Sequence, residues 1–416
     1  MLDWMDSSSY DVVILGAGAA GLFAAIFAAE RGRRVLLLEK GKKAGVKILM
    51  SGGTRCNITH NCDKRGIIDA FGNNGKFLHS ALASFSPQDV VQFFEAEGVA
   101  TKIEDTGKIF PVSDRALDVQ QALLHRLARS GATLCLNEPA LAIQKTESGF
   151  AIGTPTRTVH GTHLLVTTGG LSFPGCGTTG DGYGFAKQFG HSIVPTQPAL
   201  VPLRTQPAWV PELKGLTLTK TKLSIYEPNA AKPLDSRSGA MLFAHFGLTG
   251  PAPLDVSRAV SGHAKPSSLL LEADLLPDEP EQQFEQFLQN ESINQAKKQL
   301  AVVLAEKMQR RLADQLLVLA KMAPDRRAAA LSKDDRRLLV TLTKRLRVPL
   351  AGTLGYEKAE VTSGGVNLGE VDSKTMQSKL QPGLFFAGEV LDLDGWIGGY
   401  NFQSAWSTGH LAAKWV

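Results

Sequence analysis

Cysteine is scarce: Cys56, Cys62, Cys135 and Cys176 are the only four in 416 residues, and they form neither a C-x-x-C pair nor a zinc spacing. A disulfide scaffold and a zinc module are thereby excluded, no metal site is expected, and a reducing compartment suits the chain. The first ten residues contain no Lys or Arg and carry acids, so they lack the basic start of a secretory signal, and a cytoplasmic location is expected. Internal repeats and low-complexity tracts are missing. One apolar stretch approaches membrane length, the 18 residues 12–29. Its three glycines and strand-like opening argue against one continuous helix, so no membrane association is expected.

What remains describes an ordinary globular chain. At roughly 150 residues per domain the length allows two to three domains. Hydrophobic residues make up 43% and charged residues 20%, both typical of a folded protein. The 41 glycines suit a backbone that approaches a large ligand in several places. The net charge of +5 is uneven: residues 296–347 hold 14 Lys and Arg against 5 acids, which leaves the rest of the chain acidic.

Residues 11–40, DVVILGAGAAGLFAAIFAAERGRRVLLLEK, describe a dinucleotide site. Residues 12–15 form an apolar strand, and Gly16, Gly18 and Gly21 follow in G-x-G-x-x-G spacing. An Ala-rich helix runs to Glu30, Gly32 stops it, and a second strand at 35–38 ends in Glu39. Gly16 allows the tight turn, Gly18 the approach of a pyrophosphate, and Gly21 the close packing of helix on strand. The helix start offers free N–H groups and a partial positive charge to phosphate. Glu39 is placed to take the hydroxyls of an adenosine ribose.

Further along, Ser86-Pro87-Gln88-Asp89 opens a helix that Gly98 stops, and a second helix over 114–129 ends at Gly131. Strands are expected at 133–136, 141–144 and 163–167. From 201 to 276 the pattern is β, with strands at 216–226, 240–244 and 268–273 and a loop up to Gly239. After Pro280 it turns helical: Leu300, Leu304, Met308, Leu312 and Leu316 make an i+4 stripe, and another helix starts after Ser332. From about 355 glycines and β signals return. The order of elements suggests an α/β fold: a Rossmann-like nucleotide-binding domain built from both chain ends, residues 1–195 and 355–416. Between them lie an inserted β-rich part at 196–276 and a helical part at 277–354.

Two motifs favour FAD over NAD. One is GVKILMSGGTRCN, from Gly45 to Asn57, a loop a simple NAD dehydrogenase does not need there. The other is LFFAGE, then DGWIGGYNF, a strand, a polar loop and a Gly-Gly turn into a C-terminal helix. With TTGGLSFPGCGTTGDGYGFA, HFGLTGPAPL and EVTSGGV, these motifs resemble over nearly the whole chain the BaiN/RdsA (YhiN-like) family of FAD-dependent oxidoreductases. The resemblance implies a Rossmann-like FAD-binding domain built from both chain ends, with an inserted β-barrel-like plus helical region. The resemblance implies that Gly16, Gly18, Gly21, Glu39 and Lys40 hold the ADP half, with Ala19 and Ala140 in the same cofactor-binding set. It puts Lys47, Ser51, Gly52, Gly53, Arg55 and Asn57 along the pyrophosphate and flavin edge. Gly169, Gly388, Glu389, Gly399, Tyr400, Asn401 and Phe402 would surround the ribityl chain and ring. The family pattern S-G-G-G-R-C-N is broken here by Thr54 at the third glycine, which would be strained if that position needs a positive φ.

The resemblance also implies a helix near Asn401 aimed at the flavin pyrimidine, favouring the reduced anion, and hydride transfer through N5. A reductase needs an acid for the second carbon, and His245, in HFGLTGP, is the candidate; the competing reading is a histidine packed at a loop-to-helix junction. Asp181 could be an acid at the site, but reads better as the N-cap of a helix through Ala186. Cys56 and Cys62 raise a disulfide-reductase reading, which their spacing disfavours. No second G-x-G-x-x-G occurs in the insertion, residues 196–354, so NAD(P)H, if it is the electron donor, has no domain of its own. Family members act on small unsaturated molecules, small amines or a uridine base in ribosomal RNA. The leading reading is reduction of an activated C=C bond, against amine oxidation or a non-catalytic flavin protein. The basic segment 296–347 reads first as the solvated face of amphipathic helices; against that, it could contact rRNA, through Arg326, Arg327, Arg336 and Arg337 among others, although no Phe, Tyr or Trp lies within it for base stacking.

Overall fold

The computed structural model describes residues 9–416; the first ten residues, on which the expectation of no signal peptide rests, lie mostly outside them. The chain divides into two units, one of residues up to Pro198 together with Glu360–Val416, the other Ala199–Ala359.

The first unit is built on a seven-stranded sheet. The strand Ser9–Leu15 lies between Val35–Leu38 and Thr158–Val166, parallel to both. Thr133–Cys135 extends the sheet beyond Val35–Leu38, and Leu384–Phe386, from the far end of the chain, pairs in parallel with Leu164, Leu165 and Val166. Residues 12–15, 35–38, 164–166 and 384–386 are buried on both faces and therefore read as unbroken apolar runs. An antiparallel hairpin, Ala142–Thr146 and Gly149–Gly153, completes the sheet. The apolar run 12–29 is divided between the first strand and the helix Ala19–Glu30, and no described helix is long and apolar enough to cross a membrane.

That helix packs on the C-terminal helix Tyr400–Ala413, with Phe23 4.7 Å from Trp406 between ring centroids. Nearby, His410 bonds Ser84 Oγ at 2.9 Å and meets the Phe27 ring edge-on. Burial pushes His410 from its ordinary 6.5 down to about 4. Between those values the unfolded chain takes a proton that the native state refuses, so stability is lost as pH falls. From pH 7 to pH 4.5 this group should remove roughly 2.5 kcal/mol. Urea unfolding of His410→Gln should show a correspondingly flatter acid limb; an unchanged slope would assign the acid sensitivity elsewhere.

The second unit is a closed six-stranded barrel with helices attached. Around it run Leu203–Thr205, Gly247–Thr249, Asp235–Ala244, Thr217–Tyr226, Leu270–Asp274 and Leu346–Thr353. Two details differ from the sequence reading. The strand Asp235–Ala244 begins inside the stretch read as loop, because Ser236, Arg237, Ser238 and Gly239 pair with Thr217–Tyr226. The closing strand Leu346–Thr353 falls within the segment read as helical, joined to both Leu270–Asp274 and Leu203–Thr205. The i+4 stripe is buried throughout, but is divided between two helices, Leu300–Leu304 and Arg310–Leu319, with Met308 in the turn that joins them.

Candidate functional site

The Gly-rich turn after the first strand forms as its spacing requires. Gly16 has φ +97°, and a Cβ on Gly21 would lie 1.9 Å from the Gly16 carbonyl oxygen, so helix and turn are in direct contact. Gly18, the N-cap of the helix, is different: its φ is −81° and a Cβ there would meet no protein atom within 4 Å. Ala19 opens the helix beside that free space. At the tip of the second strand, Glu39 accepts hydrogen bonds from Ala17 N at 2.8 Å and Gly41 N at 2.7 Å. Lys40 pairs with Asp181 and Thr179. Asp181 is thus an ion-paired acid in the first turn of Asp181–Gln188, while the cap position belongs to Gly180, a correction to the N-cap reading. Ala140 sits half-buried just before the hairpin of the same sheet.

The loop from 51 to 57 is wound with positive φ at Gly52, Gly53, Thr54 and Cys56. Thr54 has φ +70°, so the departure from glycine is strained as anticipated. Its exposed hydroxyl bonds only the neighbouring Gly53 carbonyl. Thr54→Gly should therefore stabilise the protein by about 1 kcal/mol, read as a rise in Tm; a fall would show that the threonine holds the loop. Ser51 bonds back to Ile48 O at 2.8 Å. Arg55 lies over the Phe110 ring, 4.0 Å from its centroid, and pairs with Glu104 at 2.7 Å and Asp114 at 3.4 Å. The hydrogen bond that Arg55 donates to Glu104 foremost raises the arginine's already high pKa.

Burial pushes the Cys56 thiol up to about 12 and Cys62 up to about 11, and both are free. Neither offers a thiolate near neutral pH, which removes the physical basis for a disulfide reductase.

Lys47 and Glu389 are joined at 2.6 Å, and each also bonds Ser172 Oγ at 2.6 Å. Glu389 accepts in addition from Thr362 N at 2.9 Å, and the Thr362 hydroxyl accepts from Leu171 N and Ser172 N. The network draws on four separated stretches of the first unit. Ser172 and Thr362 were not singled out in the sequence, although both sit in Gly-rich motifs noted there.

Gly388, φ +77°, and Gly399, φ +91°, turn the chain before and after this point, and Gly399 caps the C-terminal helix. Tyr400 stacks on His60, centroids 4.6 Å apart and planes within 17°. Asn401 braces the preceding loop, accepting from Gly395 N and donating to Gly395 O. Phe402 stacks on Trp406 at 5.4 Å. Gly169, φ +72°, follows Thr168 at the end of the long central strand. His245 belongs to the second unit, exposed on the two-residue turn between Asp235–Ala244 and Gly247–Thr249, its ring edge-on to Phe246 at 4.9 Å.

The first unit suits a dinucleotide cofactor. Open space fronts Gly18 and Gly53, and two buried acceptors, Asn57 Oδ1 and Thr168 Oγ1, have no partner among the described residues. Buried polar atoms of this kind are normally satisfied, so both point to a bound group.

Residues 10–415 match the HI0933-like protein Rossmann domain family. The chain is 37% identical to a ribosomal RNA dihydrouridine synthase of Escherichia coli, over 97% of both chains. It is 28% identical to a 3-dehydro-bile acid delta(4,6)-reductase of Clostridium scindens, over 96% of this chain and 97% of the other. Its fold is shared with a 3-ketosteroid delta1-dehydrogenase from Sterolibacterium denitrificans, at 15% identity, TM-score 0.52, and 98% and 99% coverage of the two chains. The chain belongs to the HI0933-like family and is an FAD-dependent oxidoreductase.

Proposed function

We propose that this protein reduces the C5=C6 bond of a uridine base in ribosomal RNA, giving dihydrouridine. The observation that carries the reading is the 37% identity, spanning 97% of both chains, to a protein named for that reaction. The relative named as a bile acid reductase supports the same class, addition of hydrogen to a conjugated C=C bond. FAD, once bound and reduced by NAD(P)H as the proposed electron source, would supply the hydride for one carbon of the base.

The chain's own residues hold and orient. Gly16, Gly18, Ala19 and Gly21 present backbone N–H groups to the pyrophosphate, and Glu39 takes the ribose hydroxyls with its remaining lone pairs. Asn57 and Thr168 give their unpartnered buried atoms to the cofactor. Lys47 and Glu389 fix the segments that flank it. The proton for the second carbon is assigned to His245, whose exposed imidazole is free of ion pairs among the described residues. The setting is the cytoplasm, where ribosomes are assembled.

Nucleoside mass spectrometry of rRNA from a strain lacking the gene tests this reading. Dihydrouridine should disappear, return with the wild-type gene, and return weakly with His245→Gln. An rRNA nucleoside profile identical with and without the gene would overturn it. Anaerobic mixing addresses the donor: NADPH should bleach the flavin rapidly, whereas bleaching by a small amine with peroxide release on aeration would make the protein an oxidase.

A further inference from the structure

The second unit carries a groove of its own, enclosing about 490 Å³. Leu319, the last residue of Arg310–Leu319, meets the final turn of Lys333–Lys344 and the start of Leu346–Thr353 there. Trp209, from the short helix Trp209–Glu212, forms another wall. The lining is therefore mixed: the half-buried indole and Leu342 are apolar, Thr341 adds a hydroxyl, and Arg345 and Arg347 bring positive charge.

Local structure explains why both arginines are outside. Along Leu346–Thr353 the side chains alternate, so Leu346, Val348 and Leu350 enter the barrel core and Arg347 faces out. Its cross-strand partner is Glu272, at 3.1 Å. Arg345 is the C-cap of Lys333–Lys344 and reaches Glu281 at 2.9 Å. The arginine side chains are 68% and 53% exposed, and ion pairs this open are weak enough to be exchanged. A phosphate accepts two N–H bonds from one guanidinium and competes well.

Charge and aromatic content agree on the occupant. The second unit holds 23 Lys and Arg against 17 acids, while the rest of the chain has 22 against 23. The basic segment 296–347 has no aromatic residue of its own, yet the fold brings Trp209 from far upstream to its last residues. An aromatic wall beside two exposed arginines is the arrangement that holds an unpaired nucleotide, base on ring and phosphate on guanidinium.

We propose that this groove docks a single-stranded segment of RNA, with a base against Trp209 and adjacent phosphates on Arg345 and Arg347. The inference rests on the reading of RNA as substrate and adds the place where the strand is gripped.

The test uses the full-length, flavin-loaded protein and a labelled single-stranded oligoribonucleotide, titrated by fluorescence anisotropy at several salt concentrations. Arg345→Gln with Arg347→Gln should weaken binding on the order of tenfold or more and reduce the salt slope by about 1.4, two phosphates at roughly 0.7 each. Trp209→Leu, which keeps apolar volume at the barrel, should weaken it about tenfold through lost stacking. Glu272→Gln should tighten it by freeing Arg347. A strand carrying 5-bromouridine should photocrosslink to the peptide containing Trp209. An unchanged far-UV circular dichroism spectrum and melting profile in each variant show that the fold of the second unit is intact.

Unchanged affinity and salt slope in the double arginine variant, or a crosslink confined to other peptides, would overturn the proposal. The two readings fail separately. If rRNA lacks the modification but the oligonucleotide still binds through these residues, the groove stands and the reaction falls. If groove variants bind and modify RNA like the wild type, the reaction stands and the groove falls.

Discussion

Gly18→Ala and Gly21→Ala should fail in opposite ways, although the two glycines lie three residues apart in one motif. A methyl on Gly21 would sit 1.9 Å from the Gly16 carbonyl oxygen and 2.6 Å from Thr167 Oγ1. Neither obstacle can yield easily, because Gly16 is held by Leu38 O and Thr167 bonds the Leu15 and Gly16 carbonyls. The helix Ala19–Glu30 must then move off the sheet, at about 3 kcal/mol for overpacking in a closed core. For a unit of this size that is a drop in Tm of roughly 6–10 °C, expected with or without added FAD. Gly18 is already in extended backbone that alanine adopts without strain, and its methyl would meet no protein atom. Its stability should be unchanged, while FAD affinity falls on the order of a hundredfold as one or two N–H bonds to phosphate, about 1.5–3 kcal/mol each, are lost. Thermal melts beside flavin titrations separate the two. A Gly18→Ala protein that retains FAD normally would show that the pyrophosphate does not lie on this turn.

That contrast explains what the sequence could reveal. The first strand, first helix, second strand and Glu39 are local, each encoded by neighbouring residues and a short period, and they form with the expected residues. The stops at Gly98 and Gly131 and the capping boxes at Ser86 and Ser332 are local as well. The pairing of Leu384–Phe386 beside Thr158–Val166 has no local signal, but both segments are short apolar runs followed by glycines, so a shared sheet built from both chain ends could be anticipated. Barrel closure could not. Leu346–Thr353 follows a capped helix directly, and its alternation carries the same Leu and Arg content as the helices before it. Contacts fixed only by register and long-range packing were equally hidden: Trp209 beside Arg347, His60 under Tyr400, and Ser172 between Lys47 and Glu389.

The Lys47–Glu389 pair carries the second large expectation, because family resemblance treats both as cofactor contacts whereas their bonds run to each other and to Ser172 and Thr362. Glu389→Ala would strand the Lys47 ammonium, the Ser172 hydroxyl and the Thr362 N–H together. The pair is largely but not wholly removed from water, with side chains 28% and 19% exposed. The 3–5 kcal/mol typical of breaking a fully buried pair must therefore be reduced to about 2 kcal/mol. Glu389→Gln keeps the acceptor for Thr362 N and should cost about half as much. A double-mutant cycle with Lys47→Met should return a coupling of about 1–2 kcal/mol, since the lysine has little to lose once its carboxylate is gone. The cycle should be run both without FAD and with FAD in excess. If the network ties the two chain ends together, the coupling is present without the cofactor, and FAD adds a constant increment to every variant by mass action. If it is absent without FAD and emerges only with it, the two side chains act on the flavin nucleotide rather than on the fold. The first result is expected, because Ser172 and Thr362 complete the bonding of both charged groups from within the protein.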